Sequence, residues 1–454
     1  SGHGNPNDGL PENAPVSSTD ETWQRRSEEI VKNENCSYVY LNMPQVNWDK
    51  ALHDYKKVLN DWRNEGGHKY VFEECRKNMS EWKQKEKETI SFLVKEFEAK
   101  KAAEMYARIN VSKTGVIDTN KLHSYKYNDD IFRRLTNIPK GKNHGFIMFL
   151  DWSGSMQWTL RETMKQLFSL CMFCKQIGVP FEVYAFKDND CDNPFTYMGQ
   201  ENVIGGAQVV LRNFLSSRMN VEEMNFAMTA LWAASDRHWL QSDGMGGTPL
   251  NDAILIAPKV VNDFRVKNKL EIVNTIFLTD GGSNGASGVK NETTPSDRRF
   301  NDRRYFYVDP ITKKTYDWYP WGWGGTADNT NTLLRILKDR TGCNLVGFFL
   351  YEYNFKRFLR DFNLATYDDR MKEVQKFWVD NKFYPVKSAG YDEYYIIDTK
   401  AMNNTRNELL IDNTKKNTAK QMAKAFSKFA QKKTVNRVLL RKFIDRVAGQ
   451  AKVA

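Results

Sequence analysis

Five oxygen-bearing side chains at three separated places in this 454-residue chain could together hold a divalent cation. Two carboxylates and three hydroxyls suit Mg²⁺, which prefers oxygen ligands in octahedral geometry and usually keeps several waters. Mn²⁺ is also possible, because it favours the same oxygen ligands. The expected metal ligands are Asp151, Ser153 and Ser155 in a D-W-S-G-S stretch, Thr248 in G-G-T-P-L, and Asp280 in T-D-G-G-S.

Both carboxylates directly follow apolar runs that are typical of buried strands. Asp151 comes after residues 146–150, and Asp280 comes after residues 272–279. In open α/β sheets, ligands collect at the edge where the parallel strands end. We therefore expect the fold to bring Thr248 to the same edge, where an ion with few charged ligands would accept a carboxylate from another protein.

Each stretch also has a purely structural interpretation. D-x-S-x-S could begin a helix over residues 156–177, since Asp and Ser favour N-caps, and T-D-G could be a turn. The three stretches in this order, each after its own apolar strand, favour the metal site.

The order D-x-S-G-S, G-G-T-P-L, T-D-G resembles a von Willebrand factor A (VWA) domain with its metal-ion-dependent adhesion site (MIDAS). Residues 113–122, together with residues 129–134, are similar to the approach to that domain in the CobT-like large subunit of cobaltochelatases, particularly in CobT-like proteins of tailed bacteriophages. The resemblance extends from about residue 110 to 400. It implies that the domain docks onto a hexameric AAA+ ATPase of the CobS or MoxR type, with Mg²⁺ at the junction.

The expected fold class is α/β, a doubly wound and mostly parallel sheet of the VWA or Rossmann type, because predicted strands alternate with predicted helices. A helical region precedes this domain and a basic helical tail follows it. The expected divisions are a flexible segment (1–22), a helical docking or neck region (23–110), a bridging segment (111–145), the VWA domain (146–400) and the tail (401–454).

Two long connections interrupt the alternation of strands and helices, residues 187–220 and residues 283–326. The second contains two strand-like runs around a Pro-Ile-Thr-Lys-Lys turn, which predicts an inserted β-hairpin. Its aromatic residues could form a protein interface or fold down over the domain's own sheet. We favour the interface for the set Tyr316, Trp318, Tyr319, Trp321 and Trp323.

Several enzyme classes lack their motifs in this sequence. It has no G-x-x-x-x-G-K-[S/T] phosphate loop and no H-E-x-x-H zinc motif. Ser153 and Ser155 have no accompanying general base that would make them nucleophiles. Cys171 and Cys174 have redox-motif spacing, but they lie in an apolar helical stretch that is typical of buried structural thiols. We expect no intrinsic catalysis.

Positive charge is concentrated at the C-terminal end. Residues 400–454 carry 14 Lys or Arg against three acidic residues, which accounts for the whole net charge of +11. This tail could bind nucleic acid, an anionic membrane or an acidic protein, or it could be a solvated helix pair packed on the body. The sequence contains no apolar run of membrane-spanning length and few cysteines, so we expect a cytoplasmic protein.

Three functions remain open at this stage. The favoured one is a non-catalytic adaptor that uses Mg²⁺ to hold a AAA+ partner acting on a client. The second is a subunit of an ATP-dependent cobalt or magnesium chelatase, although the chain lacks the long acidic linker of cobaltochelatase large subunits. The third is a phage structural or nucleic-acid-binding protein that works through the basic tail.

Overall fold

The computed structural model describes residues 37–65, 69–108, 110–117, 132–137, 143–236, 240–285, 288–293, 303–320, 323–362, 368–381, 383–388 and 390–399. The predicted flexible segment 1–22 and the predicted basic tail 401–454 lie outside the described residues.

The described strands and helices alternate along most of the chain. The strands are β1 (Ser37–Leu41), β2 (Gln45–Val46), β3 (Leu52–His53), β4 (Asn110–Ile117), β5 (Phe132–Asn137), β6 (His144–Asp151), β7 (Phe181–Lys187), β8 (Phe195–Thr196), β9 (Val203–Ile204), β10 (Val210–Ser216), β11 (Ile272–Thr279), β12 (Val289–Lys290), β13 (Arg303–Val308), β14 (Thr315–Trp318), β15 (Asn344–Tyr351), β16 (Phe383–Val386) and β17 (Glu393–Asp398). The α-helices are α1 (Trp48–Ala51), α2 (Tyr55–Asn64), α3 (Lys69–Arg108), α4 (Leu160–Gln176), α5 (Val221–Ser235), α6 (Leu250–Asn268), α7 (Trp323–Thr341), α8 (Phe355–Asp361) and α9 (Asp368–Asn381), and short 3₁₀ helices span Gly154–Trp158 and Gln241–Asp243.

An eight-stranded, mostly parallel sheet forms the centre of the molecule. Its order is β16-β17-β15-β11-β6-β7-β10-β3, and β10 runs antiparallel to β7 while β16 runs antiparallel to β17. Its six long strands can be numbered 1 to 6 along the chain, as β6, β7, β10, β11, β15 and β17. Across the sheet, starting from β10, they then lie in the order 3-2-1-4-5-6, which is typical of doubly wound α/β sheets. The predicted α/β class with a mostly parallel sheet is confirmed.

Both faces of the sheet are buried, which explains why its strands read as continuous apolar runs. Successive side chains of β6 alternate between two cores. Phe146, Met148 and Leu150 enter a core with α2 to α5, whereas Ile147 and Phe149 enter a core with α6 and α7. This packing on both sides fixes the register of β6 and therefore the position of the residues that follow it.

The 283–326 connection contains the hairpin β13–β14, and β1 pairs with β13 to complete a three-stranded sheet. Its inner face belongs to the α6–α7 core, where Tyr316 and Trp318 are buried. The expectation that these two aromatic residues form an external interface is therefore wrong, because they are buried in the core beside α6 and α7. Tyr319 is exposed, while Trp321 and the side chain of Trp323 lie outside the described residues.

Three regions differ from the sequence-based expectation. The connection 187–220 contains β10, whose antiparallel pairing with β7 replaces a helical crossover. The region 23–110 is only partly helical, since β1, β2 and β3 lie within it. The bridging segment contains the antiparallel pair β4–β5. The tertiary structure decides how these strands pair, so local periodicity does not reveal them.

Candidate metal site

The carboxylates of the predicted site end two adjacent parallel strands. Asp151 is the last residue of β6, and Asp280 directly follows β11, which pairs with β6. The order of the sheet reverses at β6, so this edge is the topological switch point where open α/β sheets bind ligands.

Hydrogen bonds join the side chains of the two strand ends. The Ser153 and Ser155 hydroxyl oxygens are 3.0 Å apart, and the Ser155 hydroxyl donates to Oδ1 of Asp280 over 2.7 Å. The backbone N–H of Ser153 donates to Oδ1 of Asp151 over 3.0 Å, while the hydroxyl of Thr279 donates to Oδ2 over 2.6 Å. Hydrogen bonds thus connect four of the five predicted ligands in one series, Asp151, Ser153, Ser155 and Asp280.

The loop that carries Thr248 is attached to both neighbouring loops through the backbone. The N–H of Gly154 donates to the carbonyl of Gly246, and the N–H of Asn284 donates to the carbonyl of Thr248, each over 2.9 Å. A β-carbon built on Gly281 would lie 3.7 Å from Oγ1 of Thr248, so this hydroxyl adjoins the Asp280 loop. The structure therefore brings all five predicted residues to one edge of the sheet.

The site differs in exposure from one side to the other. Asp151 is completely buried, and Ser153 and Thr248 are nearly so, whereas Ser155 is exposed and Asp280 is half-buried. Among the described residues, the side of Ser155 and Asp280 is therefore the one that solvent can reach. Asp151 is a buried group, because the strand end that holds it is covered on both faces.

Burial raises the pKa of Asp151 to about 7, against the effect of hydrogen bonds from Thr279 and Ser153, and the nearby negative charge of Asp280 raises it further. Burial also raises the pKa of Asp280. Two desolvated carboxylates close together favour protonation unless a cation compensates them. The electrostatics of the strand ends thus favour a positive ion.

The donor chemistry fits Mg²⁺ or Mn²⁺ and does not fit zinc. Among the described residues no three His, Cys, Asp or Glu side chains form a metal-binding group, so any cation here would depend on hydroxyl oxygens as well as the two carboxylates. Oxygen-only sets of this kind suit hard cations. Cys171 and Cys174, in contrast, are buried free thiols on α4, on the side that faces the core.

Asp188 is a residue of this edge that the sequence interpretation missed. It directly follows β7, and its Oδ1 accepts a hydrogen bond of 2.7 Å from the N–H of Gly247. A β-carbon on Gly246 would lie 2.1 Å from the same carboxylate oxygen. Asp188 therefore positions the loop that carries Thr248. Its place at a strand end, one residue after the apolar run 183–186, is a weaker form of the signal that identified Asp151 and Asp280.

A second missed contact joins the site to the N-terminal part of the chain. The indole N–H of Trp152, between Asp151 and Ser153, donates to the carbonyl of Asp243 over 2.8 Å. The Asp243 carboxylate in turn accepts a hydrogen bond of 2.6 Å from the indole of Trp62 on α2. No local sequence signal links these residues, since they are separated by up to 181 positions.

Comparisons with known proteins give only distant similarities. No known family profile matches the chain, and no curated protein sequence matches it. Two crystal structures of the pilus adhesin SpaC from Lactobacillus rhamnosus GG are similar to this chain with 13% identity, TM-scores of 0.28 and 0.32, and coverage of 56% and 69% of this chain. The chain spans about a third of the length of SpaC, 34% and 32%.

The vWF domain of the type V pili tip protein Mfa5 from Porphyromonas gingivalis is similar with 10% identity and a TM-score of 0.28, over 65% of this chain and 97% of that domain. Similarities at this level assign no activity or partner to the chain. In the described residues, no helix is both long enough and apolar enough to cross a membrane.

Proposed function

We propose that the chain is a VWA-like protein whose MIDAS binds Mg²⁺, or Mn²⁺, and uses the ion to hold an acidic residue of a partner. The ligands are Asp151, Ser153, Ser155, Thr248 and Asp280. The observation that carries the proposal is the hydrogen-bonded group of Ser153, Ser155 and Asp280 at the switch point of the sheet, open to solvent on one side.

Each residue of the group has a distinct role in this proposal. Ser155 and Asp280 offer oxygens at the open side, while Ser153 and Thr248 offer hydroxyls from the buried side. Asp151 already accepts hydrogen bonds on both of its oxygens, so it would act as a ligand through a bound water and stabilise the ion by its charge. The bound ion would supply a positive centre for a partner's carboxylate.

The partner in this proposal is a AAA+ ATPase of the CobS or MoxR type, and the chain is a non-catalytic adaptor in the cytoplasm. The resemblance of the motif-bearing region to CobT-like proteins suggests this partner. The chain lacks a phosphate-binding loop of its own, so an ATP-driven step would belong to the ATPase, and the adaptor would transmit it to a client.

The metal site is tested by calorimetric titration with Mg²⁺ and Mn²⁺. We expect Asp280→Ala to abolish measurable uptake, because the site loses one of its two carboxylates, and we expect Thr248→Ala to weaken uptake less, since water can replace a hydroxyl. The matched control is Asp263→Ala, an exposed aspartate on α6, which should bind metal as the parent does. No uptake by the parent protein would refute the metal site.

Partner binding is tested with a purified CobS- or MoxR-type ATPase encoded by the same genome. We expect a complex in Mg²⁺ that dissociates in EDTA and does not form with Asp280→Ala. A complex of equal affinity with Asp280→Ala, or in EDTA, would show that the ATPase binds elsewhere and would exclude the proposed junction.

A further inference from the structure

A cavity of about 640 Å³ lies directly beside the candidate metal site. Gly281, Gly282 and Ser283, which follow Asp280, form part of its wall. The cavity extends from there past α7 towards the loop after β16. Its size is within the range of cavities that bind small molecules or several side chains of a peptide.

Four aromatic rings contribute to the lining of the cavity. Phe349 and Phe362 meet edge to face with their ring centres 6.1 Å apart, and Tyr391 and Tyr394 stack with centres 5.1 Å apart and planes 13° apart. Such rings favour another aromatic ring, which can pack against them edge to face or offset. An aliphatic side chain would lose this directional part of the contact.

The cavity also offers hydrogen-bond donors. Neither phenolic oxygen of Tyr391 and Tyr394 has a hydrogen-bond partner among the described residues, and burial raises the pKa of both groups, so they remain protonated donors at neutral pH. Lys387, also in the lining, is exposed and forms no ion pair within the described part of the chain. The cavity therefore suits an occupant that has an aromatic ring, oxygen acceptors and acidic neighbours.

We propose that this cavity, which we call the aromatic subsite, binds a tyrosine side chain of the same partner segment whose acidic residue reaches the metal. This inference rests on the proposed function. The continuity of the cavity with the Asp280 loop places both anchors within one short segment, and Lys387 and the metal ion both favour an acidic one. Two linked contacts would increase affinity through effective concentration.

The probes are capped peptides that contain one Asp and one Tyr separated by one to five Gly. Matched peptides replace Tyr by Leu or Asp by Asn, and binding is measured by calorimetry in Mg²⁺ and in EDTA. With the best spacing, we expect the Asp–Tyr peptide to bind at least tenfold more tightly than either matched peptide. The Asp-dependent part of this gain should disappear in EDTA.

Substitutions of residues that line the cavity test whether the tyrosine side chain binds there. Asn331→Trp places a large side chain in the cavity, and should remove the preference for Tyr over Leu while Mg²⁺ uptake stays unchanged. Tyr394→Phe removes only one hydroxyl and should lower that preference several-fold, with no risk to the fold from added volume. Tyr40→Phe, on the exposed side of β1, is the control and should keep the preference for Tyr over Leu.

The results separate this subsite from the metal site. Equal binding of Tyr and Leu peptides at every spacing overturns the subsite, as does a Tyr preference that persists in both Asn331→Trp and Tyr394→Phe. If Mg²⁺ uptake and the Asp-dependent gain are found without a Tyr preference, the metal site stands and the subsite fails. If a Tyr preference lost in Asn331→Trp is found without metal uptake, the subsite stands and the proposed metal function fails.

Discussion

At the scale of single residues, two buried aspartates near the switch point differ from ordinary carboxyl groups. Asp151 was expected from the sequence, whereas Asp252 in the first turn of α6 was not. Oδ1 of Asp252 accepts a hydrogen bond of 2.8 Å from the N–H of Ala207, and its Oδ2 has no hydrogen-bond partner in the described part of the structure. Burial, together with the negative charge of Asp188, raises the pKa of Asp252 to about 7.

This pKa predicts how stability depends on pH. Below pH 7 the folded protein keeps a proton on Asp252 that the unfolded chain, with an ordinary pKa of 3.8, has released. The folded state therefore binds more protons between these values, and the contribution of this group to stability falls as pH rises from about 4 to 7.

Asp252→Asn should remove this fall in stability with rising pH, because an amide keeps the oxygen acceptor for the N–H of Ala207 without a titrating charge. From pH 5 to pH 8, we expect the free energy of unfolding of the variant, relative to that of the parent, to increase by roughly 1–3 kcal/mol. Urea unfolding at several pH values measures this difference. Asp263→Asn, an exposed position on the same helix, is the control. A difference between Asp252→Asn and parent that does not vary with pH would contradict the assigned pKa.

At the scale of elements, the loop before α6 depends on glycine because a neighbouring carboxylate occupies the space. A β-carbon on Gly246 would lie 2.1 Å from Oδ1 of Asp188, and one on Gly247 would lie 2.6 Å from its Oδ2. The G-G-T-P-L stretch therefore encodes a close approach between this loop and the end of β7. That approach fixes the backbone on which Thr248 is presented.

Asp188→Ala tests whether this support matters for the metal. Removal of the acceptor for the Gly247 N–H should loosen the Thr248 loop and weaken Mg²⁺ binding about 10-fold, the smaller effect expected for residues that orient metal ligands. Calorimetric titration with Mg²⁺ measures this change in affinity. Asp192→Ala, an exposed aspartate four positions further along the same loop, serves as the matched control. Identical affinities for the two variants would show that Asp188 has no positioning role.

At the scale of the whole molecule, the N-terminal elements share a core with the central sheet. Tyr55, Leu59 and Trp62 of α2 belong to the same buried cluster as β6 and β10, and the ring of Trp62 lies 5.2 Å from that of Phe214. Helix α3 contributes Met79, Ile90 and Leu93 to this cluster. The N-terminal helices are thus part of one folded unit with the sheet.

Polar contacts reinforce this connection. The Asp243 carboxylate accepts hydrogen bonds from Trp62 and, over 3.0 Å, from Nη2 of Arg212, and Nζ of Lys187 lies 3.4 Å away. All of these side chains are buried, so the loss of one donor would leave the negative charge of Asp243 poorly compensated.

Trp62→Ala should therefore destabilise the entire molecule. We expect a loss of about 3–5 kcal/mol in the free energy of unfolding, the usual cost of removing a buried tryptophan side chain, and a single transition in which far-UV and near-UV signals change together. Trp158→Ala is the control, because this tryptophan is 65% exposed, and it should change stability little. Early loss of the N-terminal helices before the sheet unfolds would contradict the shared core.

The sequence by itself determined the central α/β sheet and the residues at its edge. Strands such as β6 and β11 are buried on both faces, so their apolar runs are continuous, and the carboxylates that follow them mark the strand ends. The site residues Asp151, Ser153, Ser155, Thr248 and Asp280 could be predicted from this pattern, from the order of their three stretches along the chain, and from the rule that ligands of open α/β sheets collect where the parallel strands end.

Only the tertiary structure decided which residues support that edge. The antiparallel strand β10, the inward orientation of Tyr316 and Trp318, and the contacts of Asp188 and Asp243 all depend on partners far away in the sequence. Local periodicity reports which face of an element is apolar, but it does not report which other element covers that face. Long-range packing therefore placed the loops at the edge, and it created the cavity beside them.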